Sequence, residues 1–180
     1  MRSTHPAACW SLPVGPAYGH GDSRRAPRAS HLVAVDSSPA MLELNRGRFG
    51  TPNVTYVQSD LFDWEPGERF DTAFTGFFIS HVPPDRFASL WERLASWMEP
   101  GGRLFLVDDL AGPDRPYSGD VVEDGPSFAH RRRLADGREY TIVKRFYEPA
   151  ELVAALGAVG WDADIGASGV HFLFGTARPR

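Results

Sequence analysis

Cysteine is nearly absent from this chain. Cys9 is the only one among 180 residues, so the chain cannot build a disulfide framework or a cysteine-ligated zinc site from its own residues. His130 and His171 lack metal-ligand spacing, and we predict no metal site. A single cysteine suits a reducing compartment, and we predict a cytoplasmic protein.

Long apolar runs and an excess of positive charge are lacking too. No apolar run approaches the length of a membrane span and no signal-peptide core is present, so we predict no membrane association. The formal net charge of −4 argues against a nucleic-acid substrate. The short basic run Arg131–Arg133 fits the solvated face of a hairpin better than a phosphate site.

The first 30 residues lack any sustained hydrophobic period and are rich in Pro, Gly, Ala and Arg. We predict an irregular or disordered segment over 1–30 and one ordinary-sized domain over 31–180. A mitochondrial-type presequence is the alternative for the first segment, but Pro6, Pro13 and Pro16 would break the amphipathic helix that it needs.

The first clear element is a short apolar run, His31–Asp36, that ends in a carboxylate. A buried parallel strand has this character, and an acid at its C-terminal end can accept hydrogen bonds from the two hydroxyls of a nucleoside sugar. The alternative is an ordinary connection between a strand and a helix, with Asp36 in solvent.

A helix should follow directly. Ser38 is a good N-cap and Pro39 suits the first helical position, so the sequence predicts a helix from Ala40 to about Arg48. We expect Met41, Leu42 and Leu44 to face inward.

Strand and helix patterns then alternate along the chain. The predicted elements are strands over Asn53–Ser59, Phe70–Ile79 and Arg103–Asp109, with a helix beginning at Pro84 that buries Phe87, Leu90, Trp91, Leu94 and Trp97. This alternation predicts an α/β fold: a Rossmann-like, mostly parallel sheet with helices on both faces.

The C-terminal part departs from this alternation. An amphipathic helix over Glu148–Leu156 precedes two strands, around Trp161 and over Phe172–Ala177, that read as an antiparallel hairpin. Residues 110–146 are predicted to form an extra loop and a hairpin turning at Asp136-Gly137, and we expect this hairpin to lie over the strand ends.

In this order and spacing, the segments Val35–Leu42, Ser59–Leu61, Phe70–His81 and Met98–Leu104 resemble class I S-adenosylmethionine-dependent methyltransferases. The likeness is greatest to the small family that is similar to menaquinone and ubiquinone methyltransferases, and it covers about Leu32 to Ala177. It implies methyl transfer from S-adenosylmethionine to a small-molecule acceptor by a monomer or homodimer.

The resemblance also implies which residues hold the cofactor. Asp36, beside Ser37, would bind the ribose hydroxyls, and Asp60 would meet the adenine amino group. Met41 and Leu61 would sandwich the adenine ring. Gly76 and Phe77, at the end of the fourth strand of the family fold, would lie beside the methionine part.

His81 is the candidate catalytic residue, because an imidazole just beyond that strand could take a proton from an acceptor hydroxyl or amine. The alternative is a histidine that hydrogen-bonds a loop or caps a helix. An acceptor pocket under the hairpin could be shaped by Tyr140, Tyr147, Arg131, Arg133 and Lys144, but for each of them a surface or packing role is favoured.

The chain departs from the family at its beginning. The family starts with a strand at the centre of the sheet and a loop of the type Glu-x-Gly-x-Gly-x-Gly, and residues 1–30 contain neither. The N-terminal strand is therefore absent or replaced. Segment 8–19, back-translated and read in a shifted frame, permits Val-Leu-Glu-Leu-Ala-Cys-Gly-Pro-Gly-Val-Trp. Our hypothesis is a reading-frame error, and the alternative is a natural N-terminal arm.

Two other functions stay open at this point. A nicotinamide-dependent oxidoreductase could use Asp36 in the same way, but Gly-x-Gly-x-x-Gly is missing and the ending is antiparallel. A non-catalytic, degenerate relative would keep the fold without the activity.

Overall fold

The computed structural model describes residues 10–14, 31–49, 54–110, 120–122, 129–133, 137–169 and 171–180, and it gives only the backbone for 10–14, 48–49, 120–122, 129–133 and 140. In chain order the elements are β1 (Trp10–Val14), β2 (His31–Asp36), α1 (Pro39–Phe49), β3 (Val54–Gln58), β4 (Phe70–Gly76), a 3-10 turn (Ile79–His81), α2 (Pro84–Trp97), β5 (Met98–Asp109), β6 (Asp120–Val122), β7 (Ala129–Arg133), β8 (Glu139–Val143), α3 (Pro149–Ala158), β9 (Trp161–Ser168) and β10 (Phe172–Pro179).

The main sheet has the strand order β3-β2-β1-β4-β5-β10-β9. Strands β2 and β3 are parallel, as are β4 and β5, whereas β10 is antiparallel to both β5 and β9. This open α/β sheet, which is parallel at four strands and closes with an antiparallel hairpin, confirms the predicted fold class.

The central strand β1 runs against its neighbours. It pairs antiparallel with β2 along its whole length, from Trp10 opposite Val35 to Val14 opposite His31. Its pairing with β4 is also antiparallel and involves only Trp10 and Ser11. The N-terminal strand of the family is thus replaced by one of opposite direction.

The prediction of an irregular segment over 1–30 is therefore wrong at Trp10–Val14. An empty slot between β2 and β4 would leave backbone donors and acceptors unpaired, at a cost of about 1–3 kcal/mol each. A short apolar segment that fills the slot removes most of that cost, even though Pro13 has no N–H to donate. Residues 1–9 and 15–30 lie outside the described part of the chain.

Helices α1 and α2 lie on opposite faces of the sheet. The crossover through α1 moves from β2 to β3, and the crossover through α2 moves from β4 to β5 in the opposite direction across the sheet. Crossovers between parallel strands are right-handed as a rule, so these opposite directions place the two helices on opposite faces.

Only part of the α1 prediction holds. Leu42 is buried, but Met41 and Leu44 are 38% and 45% exposed, so their inward orientation is wrong. Met41 and Leu44, three residues apart, share one side of the helix, whereas Leu42 lies about 100° from Met41 and about 160° from Leu44 around the helix axis. The helix can turn only one of these sides to the sheet, and it is the side of Leu42.

Helix α2 supplies much of the core. All five apolar residues predicted to be buried on it are buried. The indole of Trp91 packs edge-on against that of Trp161 with ring centroids 4.9 Å apart, and the Trp161 Nε1–H donates to the Trp91 carbonyl. The helix is thereby fixed to β9.

The face of β4, β5 and β10 opposite to α2 is open among the described residues. Phe74 and Phe174 are 39% and 49% exposed, and with Phe105 they line an open cavity of about 480 Å³. Their neighbours in sequence, Ala73 and Leu173, point to the other face and are buried. Alternation along each strand accounts for the contrast.

The second sheet contains β6, β7 and β8 in that order, all antiparallel. The predicted hairpin is therefore confirmed as β7 and β8, with Gly137 at a φ of 84° in the connection. Its tip at 134–136 lies outside the described residues, as do 111–119 and 123–128.

The C-terminal helix and hairpin are confirmed as α3, β9 and β10. Gly175 has no room for a side chain, because a Cβ there would lie 2.1 Å from the Asp164 carbonyl oxygen. In the described part of the chain, no helix is long and apolar enough to cross a membrane.

Candidate functional site

Polar residues gather where the parallel strands end. Strands β2, β3, β4 and β5 run in one direction, so their C-terminal ends share one edge of the sheet. Asp36 ends β2, Asp60 follows β3 by two residues, and Asp109 ends β5. In open α/β sheets this edge is where ligands bind.

Asp36 has an unsatisfied carboxylate. Its side chain is only 1% exposed, its Oδ1 accepts a hydrogen bond from the Ser38 amide at 2.8 Å, and its Oδ2 has no partner among the described residues. Burial raises the pKa of Asp36 from 3.8 to about 6, although the Ser38 amide opposes that shift. A buried acceptor without a donor is costly, and a ribose hydroxyl would supply one.

Asp60 is held close to Asp36 through the backbone. The Ser59 amide donates to the Asp36 carbonyl at 3.2 Å, which ties the end of β3 to that of β2. The Asp60 side chain accepts from the Phe62 amide at 3.0 Å, and its carbonyl accepts from Asp63 and Trp64 in the following turn. Asp60 is exposed, so a ligand can reach it.

The other adenosine-side candidates differ in exposure. Ser37 and Met41 are exposed at the start of α1, where the Ser38 hydroxyl caps the Met41 amide at 3.4 Å. Leu61 is 4% exposed and belongs to the hydrophobic core. The structure therefore brings Asp36, Ser37 and Met41 to one turn, and places Asp60 and Leu61 at the end of the neighbouring strand.

Gly76 and Phe77 mark the end of β4. The Phe77 amide donates to the Val107 carbonyl at 2.8 Å, and Phe77 has a φ of 54°. Positive φ is uncommon for a bulky residue and is often found at functional sites. The Phe77 ring is 46% exposed and meets Phe172 edge-on.

His81 is anchored by one ring nitrogen. Its Nδ1 lies 2.7 Å from the Val143 carbonyl oxygen. A carbonyl oxygen only accepts, so Nδ1 carries the proton and Nε2 carries the lone pair when the ring is neutral. The alternative role as a loop-bonding histidine and the role as a base are thus compatible, because they use different nitrogens.

The sequence did not reveal a buried ionic cluster at this edge, which we call the Lys144 cluster: Ser80, Asp108, Asp109 and Lys144. The Lys144 Nζ lies 2.6 Å from Asp109 Oδ2, 2.8 Å from Ser80 Oγ and 4.0 Å from Asp108 Oδ1. All four residues are buried, so surface placement of Lys144 is wrong. One signal was available in the sequence: of the 19 lysines and arginines, Lys144 is the only lysine.

The remaining acceptor-pocket candidates are only partly accounted for. Tyr147 lies in the core, where burial raises its pKa above 10.0. The side chains of Arg131, Arg133 and Tyr140 lie outside the described residues.

The direction of β1 decides what reaches this edge. Trp10 lies opposite Val35 and Thr75 near the ends of β2 and β4, whereas Val14 lies opposite His31 at the start of β2. The chain therefore leaves β1 at the edge away from Asp36 and Asp60. In the family the loop after this strand brings backbone amides to the cofactor. Here the chain leaves β1 at Val14, which lies at the edge of the sheet opposite to the one that carries Asp36.

Comparisons with known proteins agree with this geometry. A family model described as a methyltransferase domain matches residues 12–102. Trans-aconitate 2-methyltransferase from Acidovorax sp. (strain JS42) is 34% identical over 155 residues, which is 82% of this chain and 57% of that protein. Probable thiol methyltransferase 2 from Arabidopsis thaliana is 33% identical over 135 residues, which is 66% of this chain and 58% of the relative.

A solved structure, described as the DhpI-SAM-HEP complex, is 39% identical with a TM-score of 0.71. The match covers 84% of this chain and 70% of that one. The chain spans less than two thirds of the length of both sequence relatives, at 58% and 57%.

Proposed function

The chain belongs to the methyltransferase domain family, and we propose that it transfers a methyl group from S-adenosylmethionine to a small-molecule acceptor. The observation that carries the proposal is the unpaired Oδ2 of the buried Asp36, next to Asp60 at the ends of two parallel strands. The likeness to a complex named for SAM supports the choice of cofactor.

Asp36 would accept the ribose hydroxyls and Asp60 the adenine amino group, with Ser37, Met41 and Leu61 around the adenosine and Gly76 and Phe77 beside the methionine part. When bound, the cofactor supplies an electrophilic methyl group on a sulfonium. The protein then has to align the acceptor and exclude water.

His81 would remove the acceptor proton. Since its Nδ1–H donates to the Val143 carbonyl, the acceptor proton would be taken by Nε2. A small-molecule acceptor is supported by the names of two relatives, a trans-aconitate methyltransferase and a probable thiol methyltransferase. We further propose a cytoplasmic monomer or homodimer that acts on neither nucleic acid nor membrane.

The test is release of S-adenosylhomocysteine from S-adenosylmethionine in the presence of trans-aconitate or a simple thiol. Asp36→Ala should weaken cofactor binding by about 1.5–3 kcal/mol, as expected for hydrogen bonds to a charged group. Asp162→Ala is the matched control, because Asp162 is a solvent-exposed carboxylate on β9 that pairs with Arg178 and Arg180. Equal affinities for Asp36→Ala and the control would reject the ribose role.

A second candidate is a non-catalytic relative that keeps the fold. The reversed β1 favours it, because the loop that should hold the methionine part does not begin at the binding edge. Binding of adenosine without any turnover of S-adenosylmethionine would support this candidate over the first.

A further inference from the structure

The Lys144 cluster joins three pieces of the fold. Asp108 and Asp109 end β5, Ser80 lies in the 3-10 turn after β4, and Lys144 directly follows β8. The Lys144 ammonium contacts both the Asp109 carboxylate and the Ser80 hydroxyl. It thus links the segment after β8 to the end of β5 and to the turn after β4.

Both carboxylates of this cluster accept hydrogen bonds from nearby donors. Asp108 Oδ2 accepts from the Ser80 amide at 3.0 Å, and its Oδ1 accepts from the Asp109 amide at 2.7 Å. The Asp109 carboxylate has the ammonium at 2.6 Å. Removing the ammonium would take away the counter-charge that Lys144 supplies to this buried carboxylate, which is unfavourable.

Two more hydrogen bonds run between the same segments. The Arg145 amide donates to the Ser80 carbonyl at 2.7 Å, and the His81 ring donates to the Val143 carbonyl at 2.7 Å. Residues 143–145 therefore bind residues 80–81 at three consecutive positions, with Lys144 in the middle and fully enclosed.

We propose that Lys144 is a positioning residue that fixes segment 143–145 to the turn after β4 and thereby holds His81 in its Nδ1–H tautomer, with Nε2 as the proton acceptor. The proposal deepens the function proposed above and rests on it for the role of Nε2. Lys144 is the only lysine in the sequence, and all of the other Lys and Arg residues are arginines. A planar guanidinium cannot replace a compact ammonium that bonds Ser80 and Asp109 at once.

The tautomer can be measured directly. The ¹⁵N shifts of the His81 ring, at a pH where the ring is neutral, distinguish Nδ1–H from Nε2–H. We would compare wild type with Lys144→Met and with the double variant Lys144→Met/Asp109→Asn. The single variant leaves the buried Asp109 charge without the Lys144 ammonium and so can fail to fold. The double variant removes both charges of this pair, and we expect it to fold.

Leu156→Ala is the control for lost stability, because Leu156 is a buried core residue on α3 outside the cluster. Exchange of the Arg145 amide is the second readout, measured relative to amides of β5. We expect this exchange to become at least about tenfold faster in the Lys144 variants and to change little in the control.

Wild type should show Nδ1–H, and the Lys144 variants should shift to Nε2–H, which is the tautomer that free imidazole favours. Retention of Nδ1–H and of slow Arg145 exchange in the double variant would overturn the proposal. His81→Gln separates it from the proposed function: if methyl transfer survives His81→Gln while the tautomer still depends on Lys144, the positioning role stands and the base role falls.

Discussion

Trp10 lies opposite Val35 in an antiparallel pairing, so the chain enters the main sheet at the edge where Asp36 ends β2. The sheet keeps a central strand and its backbone pairing, but the residues after Val14 start from the other edge. Asp36 thus lies at the edge where β1 begins, and the chain leaves β1 at Val14, opposite His31, at the other edge.

We predict that Asp36→Asn changes stability in a pH-dependent way. The folded-state pKa of about 6 lies above the ordinary value of 3.8, so between these values the folded carboxyl holds a proton that the unfolded one has lost. The free energy of unfolding should fall as the pH rises from about 4 to about 6, and stay level above that. Asparagine does not ionise and should abolish this loss.

The measurement is urea unfolding of wild type and Asp36→Asn at pH 4 and at pH 7. The variant should gain up to about 3 kcal/mol relative to wild type between the two pH values, since one pKa unit corresponds to about 1.4 kcal/mol. A difference between variant and wild type that is the same at both pH values would show that Asp36 ionises normally.

We predict that Lys144 resists amine acylation in the native protein. Its side chain is 3% exposed, and no other lysine is present. Acetic anhydride should modify the terminal amine in native protein and both amines in urea, as read by mass spectrometry. Equal acylation of Lys144 under both conditions would place its ammonium in solvent.

Neighbouring positions on β10 should respond very differently to truncation. Leu173 is 1% exposed and Phe174 is 49% exposed. Leu173→Ala should cost about 2–5 kcal/mol, as is usual for a buried leucine, whereas Phe174→Ala should cost less than about 1 kcal/mol. Similar losses in thermal or urea unfolding would mean that the aromatic face of β4, β5 and β10 is covered in solution.

Local patterns predicted most of the fold. The apolar spacing on α2 identified all of its buried residues, and the run that ends at Asp36 identified β2. These patterns depend on residues close together in sequence. The same holds for the hairpin around Gly137 and the one that closes the main sheet.

Features that depend on distant residues were not predicted. Strand β1 pairs with β2 and β4, which lie further along the chain, and nothing within Trp10–Val14 specifies its direction. Lys144 and Ser80 are 64 residues apart, so the cluster appears only after the second sheet meets the first. Met41 illustrates a smaller limit, because three apolar residues on one helix turn do not say which side faces the sheet.

The central proposal is that this chain keeps the adenosine side of an S-adenosylmethionine site, at Asp36 and Asp60, but that its sequence lacks the glycine-rich loop that would hold the methionine part. Calorimetric titration of S-adenosylmethionine tests it, with this chain beside a version in which segment 8–19 is replaced by its shifted-frame translation. Several missing hydrogen bonds of about 0.5–1.5 kcal/mol each should make the present chain bind about a hundredfold or more weakly. Equal dissociation constants would contradict the account, because they would show that the chain holds the methionine part without that loop.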